Sequence, residues 1–77
     1  MLHVTDAKYI KDYSVWLSFD DGCDGVVDLS GCLKGPVFEP LKEKSFFKKL
    51  EFSQELGTII WPNGADLAPE FLKDLLK

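Results

Sequence analysis

The run Ser14-Val15-Trp16-Leu17-Ser18-Phe19 alternates with a strict period of two and meets Asp20-Asp21-Gly22 at its end. That pairing constrains the chain more than any other feature. Successive side chains of a strand point to opposite faces, so Val15, Leu17 and Phe19 share one side and Trp16 takes the other. Aspartate starts turns and glycine supplies positive φ without steric cost, so the strand must reverse at Asp20–Gly22. Two neighbouring segments have the same character. Leu2–Ile10 precedes the run and is separated from it by Asp12-Tyr13; Gly25–Leu29 follows, with Asp28 between Val27 and Leu29. Three such segments joined by short turns predict an antiparallel meander. Asp28, flanked by inward-type residues, is expected to face solvent.

Beyond Leu29 the punctuation changes. Ser30–Leu41 holds two glycines and two prolines, which is loop chemistry with room for a helical turn at Ser30–Leu33. Val37, Phe38 and Leu41 are apolar without need in a free loop, so they are expected to lid one edge of the core. Lys42–Leu50 predicts a short helix in which Ser45 caps part and Phe46 and Phe47 face inward. Further strands are expected around Lys49–Phe52 and Thr58–Trp61. In Pro69–Lys77 the residues Phe71, Leu72, Leu75 and Leu76 form one apolar stripe. Pro69 suits a first helical turn and Glu70 the positive end of the helix dipole. The expectation is a single α+β domain over residues 1–77. One antiparallel sheet of about five strands would carry the middle helix and the C-terminal helix on one face.

Charge narrows the functional classes. The formal net charge is −4, and it arises before Lys34, where Lys8 and Lys11 face six aspartates. No arginine occurs, so bidentate guanidinium contacts to guanine or phosphate are excluded, and the acidic balance repels phosphates at long range. Direct nucleic-acid binding is not expected, although Lys42, Lys44, Lys48 and Lys49 interleave with Phe46 and Phe47. Cys23 and Cys32 match no metal spacing and His3 is the only histidine, so neither a metal nor a cofactor is expected. No serine, cysteine or lysine has an evident base, and no glycine-rich phosphate loop occurs; the chain is not expected to be an enzyme. No apolar run reaches the ~18 residues of a membrane span. The first residues lack the layout of a signal peptide, which points to the cytoplasm.

The densest cluster is Thr58-Ile-Ile-Trp-Pro-Asn-Gly-Ala-Asp-Leu-Ala-Pro-Glu-Phe-Leu72. Read mechanically, a buried strand ends at Trp61, Pro62 has no amide hydrogen to continue a ladder, and Asn63-Gly64 turns the chain. Asp66 would then accept amide hydrogens at the start of the last helix. Read functionally, Trp61, Asn63 and Asp66 form a polar and aromatic binding patch. Other candidate binding residues are Phe38, in the proline-rich loop, and Asp20 and Asp21, an adjacent carboxylate pair whose members are expected to point apart and cap the backbone. A free sheet edge, at the first strand or at Thr58–Trp61, is a further candidate for pairing with a partner or a second copy.

Phe19-Asp-Asp-Gly22 with Asp28-Leu29, then Gly35-Pro-Val-Phe-Glu-Pro-Leu41, then Ile60–Leu72 with its Trp-Pro-Asn-Gly-Ala-Asp-Leu core, resembles the bacterial domain of unknown function 2442. The likeness covers nearly the whole chain in order. It implies an antiparallel α+β sheet with a packed helix, and no catalytic residues to carry over. Members are typically small bacterial proteins, often encoded beside another small domain in arrangements like toxin–antitoxin modules. Some carry a further helix-turn-helix domain; none is expected here, where the sequence ends at Lys77. The expected function is therefore a non-enzymatic protein-binding module, antitoxin-like towards a small protein encoded nearby. The alternative is an accessory transcriptional or nucleic-acid-associated regulator.

Overall fold

The computed structural model describes residues 1–76. Three strands form the first sheet: β1 (Val4–Lys11), β2 (Ser14–Phe19) and β3 (Asp24–Asp28), antiparallel in the order β1-β2-β3. This is the expected meander, with β1 starting two residues later than its pattern predicts. Val15, Leu17 and Phe19 are buried, as are Val4 and Val27 opposite them, while Trp16 lies on the outer face. The first reversal is a tight turn in which Asp12 takes φ +47°, a conformation aspartate tolerates better than most residues. At the second, Gly22 has φ +89° and donates to the Phe19 carbonyl at 3.2 Å.

Two 3₁₀ turns follow, Ser30–Cys32 and Glu39–Lys42, the first within the helical turn expected there. Leu29, Leu33 and Leu41 are buried around them and close one side of the core. Of the expected lid, Phe38 packs half-buried against that core but Val37 is exposed. The middle helix α1 spans only Lys44–Phe47. It is shorter than Lys42–Leu50 because the backbone up to Lys42 is already wound as a 3₁₀ turn. Its N-cap is Glu43 without a side-chain hydrogen bond, so Ser45 does not cap it. Phe47 is fully buried and Phe46 only partly.

β4 (Glu51–Ser53) and β5 (Thr58–Ile60) pair with each other in a second, two-stranded antiparallel sheet. The expected single sheet of five strands is thus two sheets. Its physical cause lies in β1, whose register shifts between Val4 and Asp6 and again between Tyr9 and Lys11. Such bulges bend and twist an edge away from a neighbour. One backbone bond crosses the gap, from Val4 N–H to the Gly57 carbonyl at 2.8 Å, and three-residue strands offer little more. Gly57, at φ +67°, lies so close to the His3 ring that a Cβ would sit 2.5 Å from Cδ2.

The last helix, α2 (Pro69–Asp74), has Pro69 in its first turn with Glu70 beside it, as its sequence predicts. Lys77, the expected final residue of that helix, lies outside the described residues. Leu72 is buried and Leu75 and Leu76 pack on the core, but Phe71 stays exposed. One residue before Leu72, Phe71 is turned about 100° around the axis, and so short a helix buries only a narrow stripe. Among the described residues, no helix is long and apolar enough to cross a membrane.

Candidate functional site

Trp61 directly follows β5 and belongs to the core, not to a surface patch. It is 2% exposed, its indole N–H donates to the Phe47 carbonyl at 2.9 Å, and its ring meets Phe47 at 5.6 Å between centroids. Tyr13 packs edge-on to the other side of Phe47 at 5.2 Å, with Tyr9 at 6.1 Å. Four aromatics therefore join the meander to the second sheet, and the Tyr13 hydroxyl adds a hydrogen bond to the Lys42 carbonyl.

Pro62 occupies the second position of a β-turn closed by Gly64 N–H to the Trp61 carbonyl at 3.0 Å. Gly64 then takes φ +89°, and Trp61 N–H donates to the Ala65 carbonyl of the returning chain at 3.0 Å. Asp66 pairs with Ile60 as an isolated antiparallel bridge. That placement explains why Asp66 does not cap α2: its backbone is held beside β5, and the N-cap position falls to Ala68, without a side-chain cap. It also engages the Ile60 end of β5, so the candidate edge at Thr58–Trp61 is partly taken.

Asn63 is exposed yet spends both ends of its amide on structure. Its Oδ1 accepts from Ala65 N–H at 3.1 Å, and its Nδ2 donates to the Val37 carbonyl at 2.9 Å. The second bond ties the proline-rich loop to the turn. Phe38, half-buried beside that anchor, faces the core, while the preceding Val37 stands 48% exposed. Asn63 and the Phe38 loop thus come together on one surface, while Asp66 lies further along the joint beside Ile60 and Trp61 is buried at its start. The Pro36–Leu41 loop is a candidate surface from its sequence, but Val37, expected to lid the core, is instead the exposed apolar residue within it.

Asp20 and Asp21 do point apart, and each latches a different end of the chain. Asp20 accepts the His3 amide hydrogen at Oδ1 (3.1 Å) and has the His3 ring Nδ1 3.1 Å from Oδ2. Asp21 accepts from Cys23 N–H at 3.0 Å and from the Lys73 ammonium on α2. The backbone bond from His3 holds the Asp20 carboxyl below its ordinary value, and the Lys73 hydrogen bond does the same for Asp21. Lys73 is raised in turn by Asp21. Asp28 faces solvent as expected and is lowered by the Ser30 amide it accepts at 2.9 Å. Neither Lys73 nor His3 as a partner is legible in the sequence, because each lies far along the chain from its aspartate.

These directions give a pH prediction. For carboxylates depressed in the folded state, the stabilisation is complete above the ordinary value of 3.8 and is lost as pH falls through the folded values. Acidification below pH 3.8 should therefore release the two latches. The amide resonances of His3 and Cys23 should move with midpoints below 3.8, ahead of global unfolding. Both carboxylates are exposed, so the effect is local and weakens with salt.

The remaining candidates carry less. Cys23 and Cys32 are both free thiols, with burial pushing the Cys32 thiol up. In the basic run, Lys42 pairs with Glu39 and Lys44 with Asp12, each at 3.1 Å, and Lys49 lies over the Phe46 ring, so part of its charge is already compensated.

The arrangement is that of a small α+β domain with two antiparallel sheets and a braced surface loop. The family model described as "Protein of unknown function (DUF2442)" matches residues 4–77, and the chain belongs to that family. No match was found among curated proteins or among solved structures.

Proposed function

We propose that this domain is a non-enzymatic protein-binding module of the bacterial cytoplasm. Its partner would be a small protein encoded beside it, neutralised in the manner of a toxin by its antitoxin. The observation that carries the reading is the Asn63 to Val37 hydrogen bond. It fixes the loop in a conformation that leaves Val37 outside the core, beside the exposed Asn63. A loop ordered before binding loses less conformational entropy when a partner docks, so a braced apolar side chain suits recognition.

The test is co-expression with the neighbouring gene product, followed by light scattering on a sizing column. A stoichiometric complex is expected. Val37→Asp should weaken it at least tenfold while moving the stability of the free domain by no more than about 0.5 kcal/mol, as for most surface changes. Asn63→Ala should weaken it too by releasing the loop, read as faster hydrogen exchange at Val37 and Phe38. Absence of a complex, or a complex indifferent to Val37→Asp and Asp66→Ala, would remove this reading.

A further inference from the structure

β3 lies at the end of the sheet order, and among the described residues no strand pairs with its outer edge. The direction of its backbone groups follows from the two bonds that bracket it. Phe19 N–H donates to the Cys23 carbonyl at 2.8 Å and Leu29 N–H to the Tyr13 carbonyl at 2.9 Å. Residues of an antiparallel strand alternate between facing the partner and facing away. In the register Val15 with Val27 and Leu17 with Gly25, those odd-numbered residues therefore face β2. The N–H and C=O groups of Asp24, Val26 and Asp28 point outward, and no backbone hydrogen bond meets them among the described residues. All three residues are exposed, Val26 to 54%, and on the outer face Val26 stands beside Trp16.

The flanking charges decide what such an edge would accept. Asp24 and Asp28 lie four residues apart, about 13 Å along a strand. Each has one carboxylate oxygen held from within: Asp24 Oδ2 by the Trp16 indole N–H at 3.2 Å, Asp28 Oδ1 by Ser30 N–H at 2.9 Å. The second oxygen of each is left for an incoming donor. A second copy pairing antiparallel about Val26 would set Asp24 opposite Asp28 at both ends, and like charges directly opposite repel. A strand with a basic residue at each of these places would instead meet a carboxylate at both ends and an apolar neighbour in the middle.

We propose that the β3 edge receives an extended segment of another protein carrying Lys or Arg at positions i and i+4 around an apolar residue at i+2. The segment adds a fourth strand antiparallel to β3, with i opposite Asp28, i+2 opposite Val26 and i+4 opposite Asp24. Backbone hydrogen bonds supply the attachment and the two carboxylates select the sequence and direction. This surface involves none of the residues of the Asn63 joint, so it goes beyond the reading above.

The experiment is a titration of the isotope-labelled protein at low salt with a synthetic ten-residue peptide built around Lys-Thr-Val-Thr-Lys. Its counterpart built around Glu-Thr-Val-Thr-Glu serves as the control. The basic peptide is expected to shift the amides of Asp24, Val26 and Asp28 and slow their hydrogen exchange, with at least tenfold higher affinity than the acidic one. Asp24→Asn with Asp28→Asn should abolish that preference. Val26→Pro should abolish binding yet keep the fold, since the Val26 N–H is not used by β2 and proline is tolerated on such an edge. Shifts confined to other residues, equal affinity for both peptides, or binding that survives Val26→Pro would overturn the proposal. So would concentration-dependent shifts at Asp24–Asp28 without peptide, which would make a second copy the occupant. A neighbour-encoded partner that still binds Val26→Pro would leave the protein-binding reading intact and show that it does not use this edge.

Discussion

Trp61→Ala is expected to lower the free energy of unfolding by about 3–5 kcal/mol, the usual cost of truncating a buried tryptophan. The indole is 2% exposed, so its whole volume becomes a cavity, and the Phe47 carbonyl loses its donor at 2.9 Å. A 77-residue domain has a total stability of only about 4–12 kcal/mol. The substitution should therefore lower Tm by roughly 15–30 °C and leave part of the population unfolded at 37 °C. Trp61→Phe separates the two losses: it keeps most of the packing and leaves a buried acceptor unpaired, at about 1–3 kcal/mol. Thermal and denaturant unfolding read both values. A Trp61→Ala variant with unchanged Tm and weakened partner binding would return the residue to the surface. The same reasoning makes Trp61 a poor choice for probing recognition, because its loss would impair binding simply by unfolding the support.

Phe47→Ala should cost a similar amount, about 3–5 kcal/mol, for a different reason. Phe47 is fully buried and stands between Tyr13 at 5.2 Å and Trp61 at 5.6 Å, so it links the meander to the second sheet. Few backbone bonds cross between the sheets, and the aromatic cluster supplies much of what holds them in register. Aromatic pairs contribute about 0.5–1.5 kcal/mol beyond area burial. A double-mutant cycle of Phe47→Leu with Trp61→Leu should accordingly show a coupling of about 0.5–1.5 kcal/mol. A coupling near zero would mean that the two residues fill the core independently. Hydrogen exchange of the Phe47→Ala protein should also show β4 and β5 losing protection before β2 does.

The meander is legible in the sequence because its signals are local. Period-two alternation places Val15, Leu17 and Phe19, and Asp20-Asp21-Gly22 places the reversal, with no information needed from elsewhere in the chain. Pro69 and Glu70 mark the start of α2 in the same way. The division into two sheets is not legible, since it depends on the two register shifts in β1, and nothing in Val4–Lys11 breaks the pattern there. The joint is half legible. Pro62, Asn63 and Gly64 announce a turn, but the partner of Asn63 is a backbone carbonyl at Val37, 26 residues away. The cap expected of Asp66 fails because residue 66 is first claimed by its bridge to Ile60. Where a side chain has a local and a distant use, sequence periodicity shows only the local one.

In the proposed module Trp61 is the buried support of a surface and Val37 its presented part. Acrylamide quenching of a Trp16→Phe variant, whose only remaining tryptophan is Trp61, tests the first half directly. Blue-shifted emission with little quenching until the domain unfolds is the predicted result, unchanged when a partner binds. Red-shifted emission that acrylamide quenches freely in the folded protein, and that a bound partner shields, would contradict it. That outcome would make the Trp61–Asp66 segment the recognition surface itself.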